Sequence, residues 1–526
     1  MVKQKDQLKI GAILSYVSIA LNIIVGLLYT PWMRAQIGES GYGLFTLANS
    51  LITLFLVDFG LSSATARYLS KYHAEGDEEK ANRFLGAVYK LYMIIDAVIF
   101  AVLLVVFFFL DKIYVGLTPV ELQQFKVVYA IAAISSVCNF PFVTLNGVLT
   151  AYEQFVPLKT ADLIYRVLIV GLTVAALLLG YGLYAVVTVN AVVGLIVTAY
   201  KFIAIKKTTP SKVEFKNTDK ELYKEIFSFS LWATVASLAQ RLIFTITPSI
   251  LGIVADSAAI DVFGIIMTME GYVYLITGAI NGMFMPKISQ LYAEGREEEL
   301  APLMRNVGKF QFALNSLLVG GFFTVGQEFM RLWMGVDATA YYGILLVIVP
   351  GLFYNSLQIA NTSLTVIKRV DLQAFVNLGM GIVNVVLSFI LSKYFGVLGA
   401  CASIFIAYTL RVIALNIIYG KVLPVEIEIF LRDVYLRLLL PLLVMVGVGV
   451  GLNYLLPYGG WWWLIVKAVA VVLVYLVCLL VFGLTKEDKK GLFGTLKRKL
   501  FKSKAENTEP TQSQETQEDP ENERQE

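Results

Sequence analysis

The sequence contains few charged residues for its length. Of its 526 residues, 16% are Asp, Glu, Lys or Arg, whereas soluble domains carry about 25%. The mean hydropathy is +0.71, and 57% of the side chains are hydrophobic. These values exclude an ordinary soluble enzyme and a chain that is disordered throughout.

Cysteine and histidine are also scarce. Cys138, Cys401 and Cys478 lie far apart in apolar stretches, which predicts buried small side chains rather than disulfides or a metal site. His73, the single histidine, lies in a charged segment, so neither a histidine-based zinc site nor a Ser-His-Asp triad can form. The motifs GxxxxGK(S/T), HExxH and GxSxG do not occur. We therefore expect no enzyme activity, no cofactor and no nucleotide-driven pumping.

Long apolar stretches dominate the remaining sequence. A helix needs about 20 predominantly apolar residues to cross the hydrocarbon core of a bilayer. We predict an all-α polytopic membrane protein with fourteen transmembrane helices, called spans 1 to 14. They lie at about 10–32, 43–64, 85–110, 125–150, 157–179, 183–204, 226–250, 260–285, 307–328, 340–363, 373–392, 397–419, 434–455 and 461–484.

The basic residues indicate how these spans are oriented. Lys and Arg accumulate in cytoplasmic loops, and most of the 43 Lys and Arg residues fall after even-numbered spans or at the termini. The loops 65–84 and 205–225 are the clearest examples. We therefore predict a multi-pass protein of the cell membrane with both termini in the cytoplasm.

An internal duplication organises the chain. Three short segments recur at offsets of 219, 217 and 215, which are 294 − 75, 247 − 30 and 364 − 149. The pairs are Tyr72-His-Ala-Glu75-Gly76 with Tyr292-Ala-Glu294-Gly295, Thr30-Pro31 with Thr247-Pro248, and Leu149-Thr150 with Leu364-Thr365. Six predicted spans separate the copies, and because six is even, both copies enter the membrane in the same direction.

The duplication predicts two parallel six-helix lobes followed by an added helix pair. The predicted boundaries are 1–204 for the N-lobe, 205–225 for a cytoplasmic linker, 226–421 for the C-lobe, 432–485 for spans 13 and 14, 486–504 for a basic segment and 505–526 for an acidic tail. The basic segment fits an amphipathic helix on the anionic inner leaflet, or else a solvated tail. The acidic tail has no apolar face and is expected to be disordered.

Ionisable side chains within spans are the main candidates for function, because each costs about 2.5–3.5 kcal/mol at the bilayer centre on insertion scales. Asp162 and Arg166 are four residues apart on span 5 and predict an intrahelical pair. Arg241 in span 7 and Glu270 in span 8 are both expected near mid-depth. They indicate either a buried structural salt bridge or a water-filled cavity between the lobes.

Other polar and aromatic side chains fall in the same spans. Asp96 in span 3 has no evident partner in the sequence, and we interpret it as neutralising a basic neighbour. Asp58 lies in span 2. Each deep tyrosine either packs in the core or stacks on a sugar. The uncharged candidates are Asn22, Asn49, Gln240, Asn281, Tyr16, Tyr29, Tyr272 and Tyr274.

With these features, the sequence resembles the MOP superfamily, which has the MATE-like fold, and within it the polysaccharide transporter branch of Wzx-like oligosaccharide flippases. The resemblance covers about 10–484. It is carried by Gly38-Glu-Ser-Gly41-Tyr-Gly43, Asp58-Phe-Gly-Leu61, Ala66-Arg67-Tyr68 and Met285-Pro286-Lys287-Ile288-Ser289.

The resemblance implies a flippase that moves a polyprenyl-pyrophosphate-linked oligosaccharide from the inner to the outer leaflet by alternating access. It implies that spans 1, 2, 7 and 8 line the cavity and that cationic residues hold the pyrophosphate. The matching positions are Arg241 and, at the outer mouth of span 1, Arg34. Expected partners are the lipid-linked glycan, membrane lipids, and a polysaccharide polymerase with glycosyltransferases, but no nucleic acid.

The energy source stays open between the membrane potential and a gradient of H⁺ or Na⁺. Protonation of Glu270 or Asp58 is one hypothesis for resetting the empty carrier.

Two alternative functions remain. A MATE-type cation-coupled multidrug exporter would share the fold, but such exporters use acidic groups for cations, and residues 10–32 contain no Asp or Glu. A membrane scaffold for polysaccharide-synthesis enzymes would need no cationic cavity, so that replacing Arg241 would leave glycan export intact.

Overall fold

The computed structural model describes residues 4–215, 220–278, 284–336, 338–485 and 488–489. Within these ranges the chain is helical and contains no β-strand. The α-helices are α1 (Gln4–Phe55), α2 (Leu61–Ala74), α3 (Glu78–Ile113), α4 (Pro119–Asn139), α5 (Thr144–Ala151), α6 (Phe155–Leu178), α7 (Gly182–Thr208), α8 (Lys220–Phe244), α9 (Thr247–Val254), α10 (Ser257–Gly278), α11 (Met285–Ala293), α12 (Leu300–Met334), α13 (Ala338–Asn355), α14 (Gln358–Val366), α15 (Val370–Val422), α16 (Ile427–Phe430), α17 (Arg437–Leu455) and α18 (Trp461–Cys478).

The length and hydropathy of these helices confirm a multi-pass, all-α membrane protein. Eleven helical segments of the described chain are long and apolar enough to cross a bilayer. Two of them, Ile13–Phe55 and Val370–Val422, are 43 and 53 residues long, about twice the length that one crossing needs. The count of fourteen crossings stays a prediction.

Glycine divides each of the two longest helices. In α1 the backbone leaves helical geometry at Gly38, where φ is 77°, and in α15 it does so at Gly396, where φ is 55°. Glycine adopts positive φ without the steric penalty that a Cβ would add. Both positions fall between predicted spans, at the 1–2 and 11–12 junctions. Each long helix therefore consists of two helical segments that meet at a kink.

The backbone repeats where the sequence repeats. After α2, Gly76 has φ 74°, and the amide of Asp77 donates to the carbonyl of Tyr72 at 3.0 Å. After α11, Gly295 has φ 67°, and the amide of Arg296 donates to the carbonyl of Leu291 at 2.9 Å. Both helices thus end in the same glycine-terminated cap, in which a six-residue loop is closed by one hydrogen bond.

A second pair of repeated helix ends has a less common geometry. Glu153 and Lys368 have positive φ, 54° and 59°, although neither is glycine. The next amides donate back to the repeated leucines, Gln154 to Leu149 at 2.8 Å and Arg369 to Leu364 at 2.8 Å. Shared backbone strain at matched positions supports the duplication that the sequence indicates. The exact lobe boundaries stay predictions.

Helix packing groups the chain into a first half, α1 to α7, and a second half, α8 to α15. The two halves meet along α1 and α10. In the first half α6 packs against α7 and α1, and α2 packs against α5; in the second half α8 packs along α15, and α12 packs against α13. The longest contact between the halves joins α1 to α10. The residues that decide how the halves fit together are therefore on these two helices.

The added helix pair is fixed to the second half by a buried ion pair. The ammonium of Lys467 on α18 lies 2.8 Å from the carboxylate of Glu328 on α12, and the two side chains are 0% and 2% exposed. The amide of Gly459 donates to the other carboxylate oxygen of Glu328 at 2.7 Å. A buried carboxylate needs such complete pairing because desolvation of each charge costs several kcal/mol.

The predicted linker is docked onto α3 over its described part. The amide of Lys212 donates to the Asn82 side chain at 2.7 Å, and Lys90 donates to the carbonyl of Phe215 at 2.6 Å. A Cβ on Gly86 would collide with the carbonyl of Glu214. The predicted disordered tail 505–526, and the basic segment 486–504 apart from residues 488–489, lie outside the described residues.

Candidate functional site

Next to the kink in α1, the two halves are joined by a bidentate ion pair. Arg34 precedes the kink at Gly38 by one turn, and its Nε and Nη2 lie 2.8 and 2.7 Å from the two carboxylate oxygens of Asp261 on α10. Its Nη1 donates to the carbonyl of Met334 at 3.2 Å. Asp261 is 1% exposed. The guanidinium is thus engaged by protein groups, and the sequence did not indicate Asp261 as its partner.

Further polar contacts join the halves in the same region. The indole of Trp333 donates to the carbonyl of Leu27 at 2.6 Å. Glu121 on α4 accepts hydrogen bonds from Ser40 on α1, at 2.7 Å, and from Ser257 on α10. These contacts tie α1 and α4 to α10 and α12 around Arg34.

Arg241 on α8 contacts the first half just after the end of α1. Its Nη2 donates to the carbonyl of Leu56 at 3.0 Å. Leu56 lies where α1 has ended and α2 has not begun, so this carbonyl is not used within a helix. The Nη1 atom of Arg241 is buried and has no hydrogen-bond partner. Asp58 acts electrostatically on Arg241, but the carboxylate itself accepts from the Tyr92 hydroxyl and the Ser62 amide.

Glu270 lies in a different environment from Arg241. In the described ranges no ion pair within 4.0 Å joins these two residues, so the salt bridge weighed from the sequence is not formed. The hydroxyls of Tyr274 and Tyr408 lie within electrostatic range of both Glu270 and Arg411. Arg241 and Glu270 therefore belong to two separate polar clusters.

Arg411 is a buried cation that the sequence analysis missed. It is 3% exposed, its Nη2 donates to the Tyr354 hydroxyl at 2.8 Å, and its guanidinium lies 4.3 Å from the centre of the Tyr354 ring. Its position within span 12 was the available signal, because an ionisable residue inside a span is costly. The charge is accommodated by aromatic faces and one hydroxyl.

Arg166 contacts α1 rather than the aspartate on its own helix. Its Nη2 donates to the carbonyl of Asn22 at 3.0 Å, and its Nε is buried without a partner. Asp162 pairs with Lys159 at 3.3 Å, so the predicted Asp162–Arg166 pair is wrong in this structure. The two side chains diverge because α1 offers Arg166 a backbone acceptor that a helix interior does not.

Tyr272 and Arg166 lie next to the same glycine. A Cβ on Gly26 of α1 would collide with the Tyr272 hydroxyl and lie 3.1 Å from Nη2 of Arg166. The missing side chain lets α10 approach α1 closely, and a second-half tyrosine and a first-half arginine both lie next to this glycine. Of the predicted residues, Tyr272, Arg34 and Arg241 therefore lie at the junction of the halves.

Two cavities lie inside the first half. The first, of about 390 Å³, is bordered by Asn22, Lys159, Asp162, Arg166 and Lys201, with Ser15 and Ser18 on α1. The second, of about 360 Å³, is rich in amides and hydroxyls; its polar lining comprises Asn49, Ser135, Ser136, Asn139, Asn146, Tyr165, Asn190, Thr198 and Lys201.

Of the uncharged residues predicted from the sequence, two asparagines border these cavities. Asn22 lies in the first cavity and Asn49 in the second. Gln240 is exposed on α8, and Asn281 lies outside the described residues. Among the described residues, no group of three or more His, Cys, Asp or Glu side chains could hold a metal ion.

Comparison with known proteins agrees with this architecture. A family described as "Polysaccharide biosynthesis protein" matches residues 8–292. The probable low-salt glycan biosynthesis flippase Agl15 of Haloferax volcanii is 22% identical over 385 residues, which cover 72% of this chain and 76% of that protein.

The fold is shared with solved transporters. The lipid II flippase MurJ in an inward closed conformation superimposes with a TM-score of 0.66 and 14% identity, covering 91% of this chain and 98% of that one. An inward-facing multidrug resistance MATE family transporter of the MOP superfamily gives a TM-score of 0.63 and 13% identity, covering 80% and 99%. A MOP superfamily transporter from Pyrococcus furiosus gives 0.59 and 13%, covering 80% and 96%. At these identities the likeness concerns the fold.

Proposed function

The chain belongs to the polysaccharide biosynthesis protein family of the MOP superfamily, and from that premise we propose that it translocates a polyprenyl-pyrophosphate-linked oligosaccharide from the inner to the outer leaflet. A charged glycan head cannot cross hydrocarbon unaided, because its polar and ionic groups would lose their hydration. A protein that supplies fixed donors in place of that water removes this barrier. The polyprenyl chain can remain in lipid throughout.

The observation that carries this proposal is the balance of buried charged groups that lack a hydrogen-bond partner. Among the described residues these are three guanidinium nitrogens, Nη1 of Arg241, Nε of Arg166 and Nε of Arg411, against one carboxylate oxygen, Oδ1 of Asp96. Buried guanidinium donors favour an anion, and they repel a cationic drug. An anionic cargo is therefore the better fit, and the multidrug exporter is the weaker one.

Alternating access is supported by the polar contacts that join the halves at one end of the bundle. The Arg34–Asp261 pair and its neighbours lie at the end far from the N-terminus. If both termini are cytoplasmic, as we propose, that end faces outward and these contacts close it to the outside. Opening it requires the bidentate pair to separate.

The membrane potential gives the step a direction. An inside-negative potential favours outward movement of negative charge by about 2.3 kcal/mol per charge per 100 mV. A diphosphate with two charges would gain about 4–5 kcal/mol if it crossed the whole field. We propose Glu270 as the group that couples the return of the empty carrier to an ion.

Arg241 provides the test of the proposal. Arg241→Ala is expected to reduce surface glycan at least tenfold at normal protein level. Among the described residues no other cation hydrogen-bonds to the Leu56 carbonyl, so none can replace the lost guanidinium there. Arg432→Ala is the matched control, since it removes the same charge from a side chain that is 71% exposed. Surface glycan and membrane protein level are measured together in the native host.

Three outcomes separate the candidate functions. Full glycan export by Arg241→Ala at normal protein level contradicts a role in cargo binding and favours a scaffold. Loss of resistance to cationic drugs with unchanged glycan favours an exporter. Loss of glycan together with accumulation of lipid-linked oligosaccharide on the inner leaflet supports the flippase.

A further inference from the structure

Three cations in the first half border one cavity and are only partly neutralised there. Lys159, Arg166 and Lys201 border the cavity of about 390 Å³, and Asp162 is the one carboxylate among its lining residues. The local charge is therefore +2, from three cations and one anion. A net positive charge in a membrane-embedded cavity is costly unless a mobile anion enters it.

The donors of these side chains are only partly used. In the described chain Lys201 donates one hydrogen bond, to the Asn146 side chain at 2.9 Å, although an ammonium carries three donors. Arg166 donates to the carbonyl of Asn22 and keeps a buried Nε without a partner. Lys159 is paired with Asp162 at 3.3 Å, but both side chains remain 31% and 44% exposed.

The three cations also lie at one end of the bundle. Lys159 is in the first turn or two of α6, and Lys201 is in the last two turns of α7, whereas Arg166 is 11 residues into α6, about 16 Å along its axis. Lys159 and Lys201 thus lie at the end opposite the Arg34–Asp261 pair, and Arg166 lies deeper. An anion entering at the end that is not closed by Arg34 meets the lysines first and the arginine second.

On the basis of the proposed function, we propose that Lys159, Arg166 and Lys201 form the subsite that binds the diphosphate of the lipid-linked cargo. Two lysines and an arginine supply point charges and a planar donor fork, which together suit a group with several phosphate oxygens. This places the diphosphate inside the first half, beside α1, α6 and α7. In this proposal Arg34 joins the two halves through Asp261, and Arg241 contacts the first half through the Leu56 carbonyl.

The second cavity lies where the first sugar would follow. Both cavities are bordered by Lys201, Tyr165 and Val197. Amides and hydroxyls can donate to and accept from sugar hydroxyls, and a tyrosine ring offers an apolar face. The order of cation-lined cavity, Lys201 and amide-lined cavity matches the order of diphosphate and sugar in the cargo.

The subsite lies next to the second half, so binding of the diphosphate can affect how the two halves move during transport. Nη2 of Arg166 and the Tyr272 hydroxyl both lie next to Gly26. If a diphosphate draws the guanidinium toward the lysines, the packing of α6, α1 and α10 around Gly26 must change. Cargo binding would thereby alter the α1–α10 interface that Arg34 closes at its far end.

Binding of undecaprenyl diphosphate to the purified full-length protein in detergent tests the subsite. Arg166→Gln and Lys201→Gln are each expected to raise the Kd at least tenfold, and the wild-type protein to bind undecaprenol at least tenfold more weakly than the diphosphate. Lys206→Gln is the matched control, because it removes the same charge from an exposed position on α7, and it should bind like the wild type. Thermal unfolding of every variant shows whether it is folded.

The possible results are distinguishable. If the wild-type protein and all variants bind no diphosphate lipid, the proposed function itself fails. If the wild type binds and the folded Arg166→Gln and Lys201→Gln variants bind equally well, the diphosphate lies elsewhere and this subsite is wrong. An equal loss in Lys206→Gln would mean that general surface charge, not a site, attracts the lipid.

The sugar position is tested in cells, where the native glycan is present. Asn49→Ala is expected to lower export several-fold at normal protein level, because Asn49 is exposed to the second cavity. Unchanged export would overturn the assignment of the sugar to that cavity.

Discussion

The added helix pair and the first half accommodate lysines within their helices in opposite ways. Lys467 of the added pair is 0% exposed and is neutralised by Glu328 of the second half, which is 2% exposed, at 2.8 Å. In the first half Lys201 borders two cavities and donates to a neutral amide. A matched carboxylate makes a buried cation part of the framework, whereas a cation beside a cavity can accept an anion from outside. The comparison separates structural charges from candidate binding charges.

The largest expected effect comes from breaking the framework pair. Lys467→Met leaves the Glu328 carboxylate buried and unpaired, which should destabilise the protein by about 3–5 kcal/mol. Thermal unfolding in detergent measures the loss. Lys126→Met is the matched control, because the Lys126–Asp111 pair is 34% and 54% exposed and such pairs contribute about 0–1 kcal/mol. Equal unfolding temperatures for the two variants would contradict the structural role of Lys467.

The next effect concerns the pair that joins the halves. Arg34→Asp and Asp261→Arg should each abolish most glycan export, because each places two like charges together at the closed end. The double variant Arg34→Asp/Asp261→Arg should recover part of the export by restoring an ion pair. Glu39→Gln should change export little, since Glu39 is 69% exposed. A double variant no better than either single variant would show that the pairing itself is not required.

A smaller effect is expected where α10 crosses α1. Gly26→Ala adds a methyl group that would collide with the Tyr272 hydroxyl, so export should fall several-fold as α1 and α10 move apart. Tyr272→Phe removes the hydroxyl and should relieve the defect in the double variant. Gly171→Ala is the control, because no atom lies within 4 Å of its added Cβ. A Gly26→Ala variant with wild-type export would show that the close approach is not needed.

The smallest effect is a change in ion dependence. Glu270→Gln should leave measurable export but remove its dependence on external pH or sodium, because a glutamine cannot gain or lose a proton or neutralise a cation. Initial rates of lipid-linked glycan transfer in proteoliposomes at several pH and sodium values measure this. Glu426→Gln, at an exposed position, is the control. Ion dependence equal to the wild type would exclude Glu270 as the coupling group.

The sequence predicted classes of residues better than their partners. It identified Arg241, Glu270 and Arg166 as costly intramembrane charges, and Asn22 and Asn49 as polar candidates in spans 1 and 2. It paired Arg166 with Asp162 because they are four residues apart, and it placed Arg241 within reach of Glu270. The structure gives Arg166 a carbonyl on α1 and Arg241 a carbonyl after α1, because these acceptors come from distant helices and have no local signal.

The sequence by itself determined that this chain is a duplicated, helical, multi-pass membrane protein. The apolar length of a segment and the placement of its charges decide whether it crosses the membrane, because the free energy of its transfer into the bilayer depends on that segment alone. The repeated helix ends follow from local backbone geometry. Only the tertiary structure decided which cations are neutralised and which face a cavity. That outcome depends on atoms hundreds of residues apart, such as Arg34 and Asp261 or Glu328 and Lys467, whose contact is set by helix packing.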